Sequence, residues 1–147
     1  MKIVSLSEEK NFEKRIAITP EIVKKYTSIG FKVSLPKNYG SHLGFNDDEF
    51  KSLGVEILEN EKDLIQSCDI AVQLALPSDE KLSFFRENQT LIGVLNPFLN
   101  KEKLNGLTKK KINTFSLELL PRITRAQSMD ILSSQANLAG YKAVIES

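Results

Sequence analysis

Near the end of the chain, the stretch LLPRITRAQSMDILSSQANLAGYKAVIE (Leu119 to Glu146) gathers residues whose types could do chemistry. Arg122, Gln127, Asp130 and Ser133 follow one another at spacings of five, three and three. Where a loop runs into a helix, the last three would share one face of its first turns, and the loop would bring up Arg122. A guanidinium, an amide, a carboxylate and a hydroxyl together supply donors and acceptors suited to a carboxamide and to sugar hydroxyls. The positive end of the helix would sit beside them. On spacing alone the plainer reading stands ahead: a solvated loop leading into a capped helix.

The elements that must position this segment are legible as two alternating patterns. Six apolar runs rich in β-branched residues read as strands: Lys2–Leu6, Phe31–Leu35, Val55–Leu58, Asp69–Leu74, Thr90–Leu95 and Ile112–Leu117. They are continuous, as parallel strands covered on both faces should be. Between them lies helical spacing. Glu21–Ile29 places Ile22, Val23, Tyr26 and Ile29 on one face, with Thr19-Pro20 as cap and first-turn proline and Gly30 as the stop. Asp47–Leu53 and Asn60–Ser67 are short helices with acidic first turns, Ser78–Glu87 carries Leu82, Phe84 and Phe85, and Lys101–Lys109 carries Leu104 and Leu107. This alternation predicts an α/β fold: a parallel-sheet, three-layer domain of flavodoxin-like or Rossmann-like type.

The last helix is expected from about Ser128, with Ser128 as N-cap and Asp130 in the first turn. Ala136, Ala139, Gly140 and Ala143 form a stripe of small residues, and Met129, Leu132, Leu138 and Val144 supply packing. No glycine closes the helix before Ser147, so it reads as interrupted. Residues 1–127 are therefore expected to form the α/β domain, and 128–147 to begin a helix leading into a further domain.

Composition excludes several classes. Twenty Lys+Arg against nineteen Asp+Glu give no basic excess for nucleic acid or a membrane surface. A single cysteine, Cys68, cannot form an internal disulfide, which points to a reducing compartment. No apolar run approaches the roughly 18 to 20 residues that span a bilayer, and MKIVSLSEEKNFEKR lacks the apolar centre of a signal peptide. The seven glycines compose no G-x-G-x-x-G, and there is no phosphate-binding P-loop and no Cys/His metal cluster. If the chain handles a nucleotide, the half that holds the phosphates lies elsewhere.

PRITRAQSMDILSSQANLAGYKAVIE resembles the signature of the NAD(H)-binding component, or alpha subunit, of proton-translocating nicotinamide nucleotide transhydrogenase. EKRIAITPEIVKKYTSIGFKV is similar both to that family and to alanine dehydrogenase, and YGSHLGFNDDEFKSLGVEIL resembles the family's next segment. The resemblance runs the whole chain and implies hydride transfer from NADH to NADP⁺, coupled to proton movement across a membrane. It implies that Arg122, Asp130 and Ser133 hold the nicotinamide carboxamide of NAD(H) and its surroundings. Gln127 would lie where that ring meets the nicotinamide of NADP(H), bound on a partner component, the beta subunit. Orienting two rings is a positioning task rather than acid–base chemistry. The resemblance also implies a homodimer of the alpha component, cytoplasmic and peripheral on the inner face of the cytoplasmic membrane, with no insertion by this segment. The family's full protein continues into a Rossmann domain, so this chain alone is expected to be inactive.

Two departures bear on the alternatives. Where alanine dehydrogenases carry a substrate-binding lysine, the strand DIAVQLALP has Gln73; where they carry a catalytic histidine, after TLIGVLNPF's strand, there is Asn96. Without the amine and the imidazole, oxidative deamination of alanine loses its chemistry, so an alanine dehydrogenase-like domain is the second reading. A non-catalytic docking or dimerisation module is the third. Arg15 is expected to anchor its loop through backbone hydrogen bonds, with an anion contact as the alternative. His42 reads as a surface residue, Cys68 as a packed thiol, Pro97 as a strand end, and Lys109–Lys111 as a solvated helix terminus.

Overall fold

The computed structural model describes all residues, Met1–Ser147. Six strands form one sheet: β1 (Lys2–Val4), β2 (Lys32–Pro36), β3 (Glu56–Leu58), β4 (Ile70–Ala75), β5 (Thr90–Val94) and β6 (Asn113–Ser116). Their order is β3-β2-β1-β4-β5-β6, and every pairing is parallel. All six expected runs are strands. They are shorter than the apolar runs because the run ends, such as Ser5 and Leu6, feed the loops that leave the sheet.

The helices are α1 (Pro20–Ser28), α2 (Asp47–Ser52), α3 (Glu61–Ser67), α4 (Asp79–Ser83), α5 (Lys101–Lys109) and α6 (Ile131–Glu146). Side-chain caps set several starts: Thr19, Asn46, Asn60 and Ser78 each accept a backbone N–H of the following turn. Pro20 takes the first helical position, where its missing N–H costs nothing. Gly30 (φ 87°) follows α1 in the left-handed region that reverses the chain toward β2. One expectation needs correcting: the helix at Ser78–Glu87 stops at Ser83, and Asn88 (φ 66°) turns the chain into β5.

Strand alternation divides the core into two clusters, one on each sheet face. Ile3, Val33 and Leu35 point toward α1 and α2, joining Ile18, Val23, Tyr39, Phe50 and Val55. Val4, Ala71 and Leu91 point the other way, against Leu64 and Ile65 of α3, Leu82 of α4 and Leu107 of α5. The three-layer expectation is borne out. Gly93 in β5 permits an unusually close strand contact: a Cβ there would stand 2.6 Å from the Gln73 carbonyl oxygen of β4. This approach coincides with a register shift between Val72 and Ala75.

α6 differs from the rest. None of its sixteen residues is buried, and Leu132, Leu138, Tyr141, Val144 and Ile145 are all exposed. It is not long and apolar enough to cross a membrane, nor is any other helix.

Candidate functional site

The chain leaves β6 through a short 3-10 turn, Leu117–Leu119, and then makes a run of tight turns. Ile123 N–H donates to Pro121 O, Ala126 N–H to Ile123 O and Met129 N–H to Ala126 O. Ala126 is the one buried residue between Pro121 and Gln127, and it pins the loop. Arg122 and Gln127 extend from it, both exposed, and neither side chain forms a hydrogen bond within the chain.

Ser128 is not the N-cap. Residues Gln127–Met129 form a 3-10 turn, and the cap is Asp130, in extended conformation (φ −73°, ψ 95°). Its Oδ1 accepts the N–H groups of Leu132 (3.0 Å) and Ser133 (3.1 Å), and its Oδ2 accepts the Ser133 hydroxyl at 2.6 Å. A carboxylate accepts two backbone donors more strongly than a serine hydroxyl would, which moves the cap two residues along. These bonds, the Ser133 hydroxyl first, hold the Asp130 carboxyl below the usual aspartate range, with Arg122 adding a weaker positive field. The expected shared face is therefore only partly realised. Asp130 and Ser133 are joined directly and Arg122 lies within electrostatic reach, whereas Gln127 sits ahead of the helix on the 3-10 turn.

Arg15 also departs from expectation. Its guanidinium binds side chains, not backbone: both oxygens of Glu13 (2.9 and 2.6 Å) and the amide oxygen of Gln135 on α6 (2.6 Å). The same pairing holds the Glu13 carboxyl below its ordinary range. It ties the loop after β1 to the first turns of α6. Asn96 is in the left-handed region (φ 46°), its N–H donates to Glu118, and its carbonyl accepts from Leu99 and Asn100. Asparagine tolerates that conformation better than most residues, so Asn96 has a turn-forming task of its own. His42 is exposed and donates Nε2–H to Lys14 O, and Cys68 is buried with its thiol pushed up to about 11 by burial.

Sequence reasoning missed a buried polar chain at the carboxyl ends of β1 and β4. Tyr39 Oη accepts the N–H groups of Ala17 (3.0 Å) and Ile18 (3.1 Å) and donates to Ser5 Oγ (2.8 Å). Ser5 Oγ donates to Gln73 Oε1 (2.9 Å), which also accepts Leu6 N–H (2.6 Å). Serine and glutamine inside otherwise apolar strands were the available signal. Their common partner Tyr39 was not, because it lies 34 residues from Ser5.

The family profile described as "Alanine dehydrogenase/PNT, N-terminal domain" matches residues 5–139. The chain is 41% identical to the first portion of a split NAD(P) transhydrogenase subunit alpha of Rickettsia prowazekii, covering 99% of this chain and 39% of that protein. Among solved structures, a transhydrogenase from Sinorhizobium meliloti superposes with a TM-score of 0.88 at 36% identity, over 97% of this chain and 43% of that one. Alanine dehydrogenase 1 of Staphylococcus aureus is 28% identical, over 99% of this chain and 38% of its own length. The chain thus spans about two-fifths of the relatives it matches.

Proposed function

Because the chain belongs to the alanine dehydrogenase/PNT family through that family's N-terminal domain, we propose that it serves as the N-terminal part of an NAD(P) transhydrogenase alpha subunit. Its task is to help pass hydride from NADH to NADP⁺, coupled to proton translocation. The observation that carries this reading is the 41% identity to a transhydrogenase subunit alpha along 99% of the chain, loop and α6 included. The alanine dehydrogenase likeness is weaker, at 28%. It also lacks its chemistry here, since Gln73 replaces an amine and Asn96 an imidazole.

The donor set fits a nicotinamide carboxamide and neighbouring hydroxyls. Arg122 and Gln127 have no partner within the chain, and Ser133, having donated to Asp130, keeps its lone pairs free to accept. NAD(H) supplies the hydride when bound. The residues of this chain bind and orient: Arg122 donates to the carboxamide oxygen, and the Asp130–Ser133 pair sets the end of α6 beside it. Gln127, ahead of the helix, is the group nearest the NADP(H) of the partner component. No proton need be moved by these side chains for hydride to pass between aligned rings. In this reading residues 1–127 form one wall of the nucleotide cleft, and the helix from 128 leads to the part that holds the phosphates. The alpha component is homodimeric, meets a beta subunit, and lies in the cytoplasm against the inner face of the cytoplasmic membrane.

The test is NADH fluorescence with this chain alone and with a chimaera in which it replaces the matching 39% of the Rickettsia prowazekii subunit. Asp130→Asn retains a good N-cap and removes only the charge; Arg122→Ala removes the guanidinium. The chimaera should bind NADH and the isolated chain should not, and each substitution should weaken binding or hydride transfer roughly tenfold. Binding and transfer unaltered in both variants would remove these residues from the site.

A further inference from the structure

The strand order reverses between β1 and β4, and outside their carboxyl ends opens a cleft of about 360 Å³. Such a reversal is where open α/β sheets take their ligands. This cleft is not furnished for a phosphate. The loop from Ser5 to Thr19 contains no glycine, α1 opens on a proline with no N–H to offer, and Glu8, Glu9 and Glu13 line the opening. Lys81 and Lys103 also reach it, but Lys81 is paired with Glu61 (2.8 Å) and Lys103 with Asp79 (3.1 Å).

The buried chain through Tyr39 and Ser5 fixes what the cleft presents. Tyr39 Oη accepts two backbone N–H groups, so its own proton goes to Ser5, and the Ser5 proton goes to Gln73. Leu6 N–H points at the same Gln73 atom, and only the amide oxygen can receive both. Gln73 Nε2 is thereby turned the other way. The residue is 3% exposed, it lines the cleft, and Nε2 donates to no group of the protein. Buried amide donors are ordinarily paired. Beside it, Glu8 Oε1 accepts Leu74 N–H (2.7 Å), which holds that carboxylate at the cleft with its other oxygen available. Phe12 and Leu76 supply an apolar wall.

We propose that this cleft binds a small molecule bearing a primary carboxamide, its oxygen accepting from Gln73 Nε2 and its N–H donating to Glu8. An anionic ligand is disfavoured, because the two lysines are already paired and the carboxylates outnumber them. Arg122, Gln127, Asp130 and Ser133 do not line the cleft, so the inference stands or falls apart from the nicotinamide loop.

The experiment is a ¹⁵N-resolved NMR titration of the full chain with three probes of one shape: benzamide, N,N-dimethylbenzamide and benzoate. Benzamide should produce saturable shifts at the Gln73 side-chain amide and the Leu74 backbone amide within on the order of 10 mM, the range expected for a ligand of this size. Dimethylbenzamide, which has no N–H for Glu8, should bind several-fold more weakly, and benzoate should not saturate. Gln73→Glu keeps an oxygen for Ser5 and Leu6 but removes the donor, so it should weaken benzamide at least tenfold with the rest of the spectrum unchanged. Absence of saturation, benzoate binding as tightly as benzamide, or unchanged affinity in a folded Gln73→Glu would each overturn the proposal. Should that variant not fold, the comparison of the three probes on the native chain still decides.

Discussion

Replacing Tyr39 by Phe removes one oxygen atom from the centre of the molecule and leaves the ring in place. The ring is 2% exposed and packs edge-on against Phe50, with centroids 6.1 Å apart, so no cavity of consequence forms. What is lost is polar: the Ala17 and Ile18 N–H groups lose their acceptor and Ser5 Oγ loses a donor. Ile18 and Ser5 are fully buried, whereas Ala17 is half-buried and can turn to water. An orphaned buried donor costs about 1–3 kcal/mol, and the lost Tyr–Ser bond about 1 kcal/mol. The total is about 2–4 kcal/mol, a large part of the 5–15 kcal/mol by which domains are usually stable. For a chain of this length that is a fall in Tm of roughly 6–12 °C. Urea unfolding followed by circular dichroism should give a lower midpoint with an unchanged m-value. In a double-mutant cycle, Tyr39→Phe and Ser5→Ala should couple by at least about 0.5 kcal/mol, being neighbours in one network. A loss below about 0.5 kcal/mol, within the range of neutral surface changes, would refute the claim that this hydroxyl organises the end of the sheet.

Burial pushes the Tyr39 hydroxyl up to about 12 from its ordinary 10. Its contribution is thus complete below pH 10 and is lost as pH rises toward 12, since the unfolded chain releases that proton first; alkaline unfolding should begin at higher pH in Tyr39→Phe relative to its own neutral-pH stability. Gly93→Ala should lower stability by about 1–3 kcal/mol through overpacking, because the atom it would strike is the Gln73 backbone oxygen, which cannot swing away; thermal melting checks it. Asp130→Ala should reduce the helical circular dichroism signal of α6 while Asp130→Asn largely preserves it, and acidification through the lowered Asp130 carboxyl range should mimic the alanine variant. Cys68, buried and with its thiol raised to about 11, should react with a thiol reagent only at the rate of unfolding.

The sheet was readable because its strands are marked by composition: a buried parallel strand is a run such as Thr90–Leu95 and needs no partner to be recognised. Helix starts were readable where a short side chain caps its own following turn, as at Thr19 and Asn60. At Ser128 the same rule failed because two cap residues compete within three positions, and only the geometry of the preceding 3-10 turn decides for Asp130. That turn also broke the expected alignment of Gln127 with Asp130. The arginine at position 15 was visible but its partner was not, since Gln135 is 120 residues away. Gln73 was noticed for what it is not, an amine. Its actual placement depends on Ser5, Leu6 and Tyr39, a relation that no local pattern encodes.

The two faces of the sheet are built from different lengths of chain. The cluster around Phe50 draws its buried residues from Ile3 through Val55, whereas the cluster around Leu91 begins at Val4 and is incomplete before Ile112. During synthesis, at roughly 5–20 residues per second, the first face has all its buried members several seconds before the second. β1 is the wall common to both, and its second neighbour, β4, emerges only after the first face can close. The nascent half-domain therefore holds β1 with one side paired and one edge open, waiting for β4. The crevice at the β1–β4 junction, with Gln73 aimed into it, is thus made last along a seam between an early half and a late one.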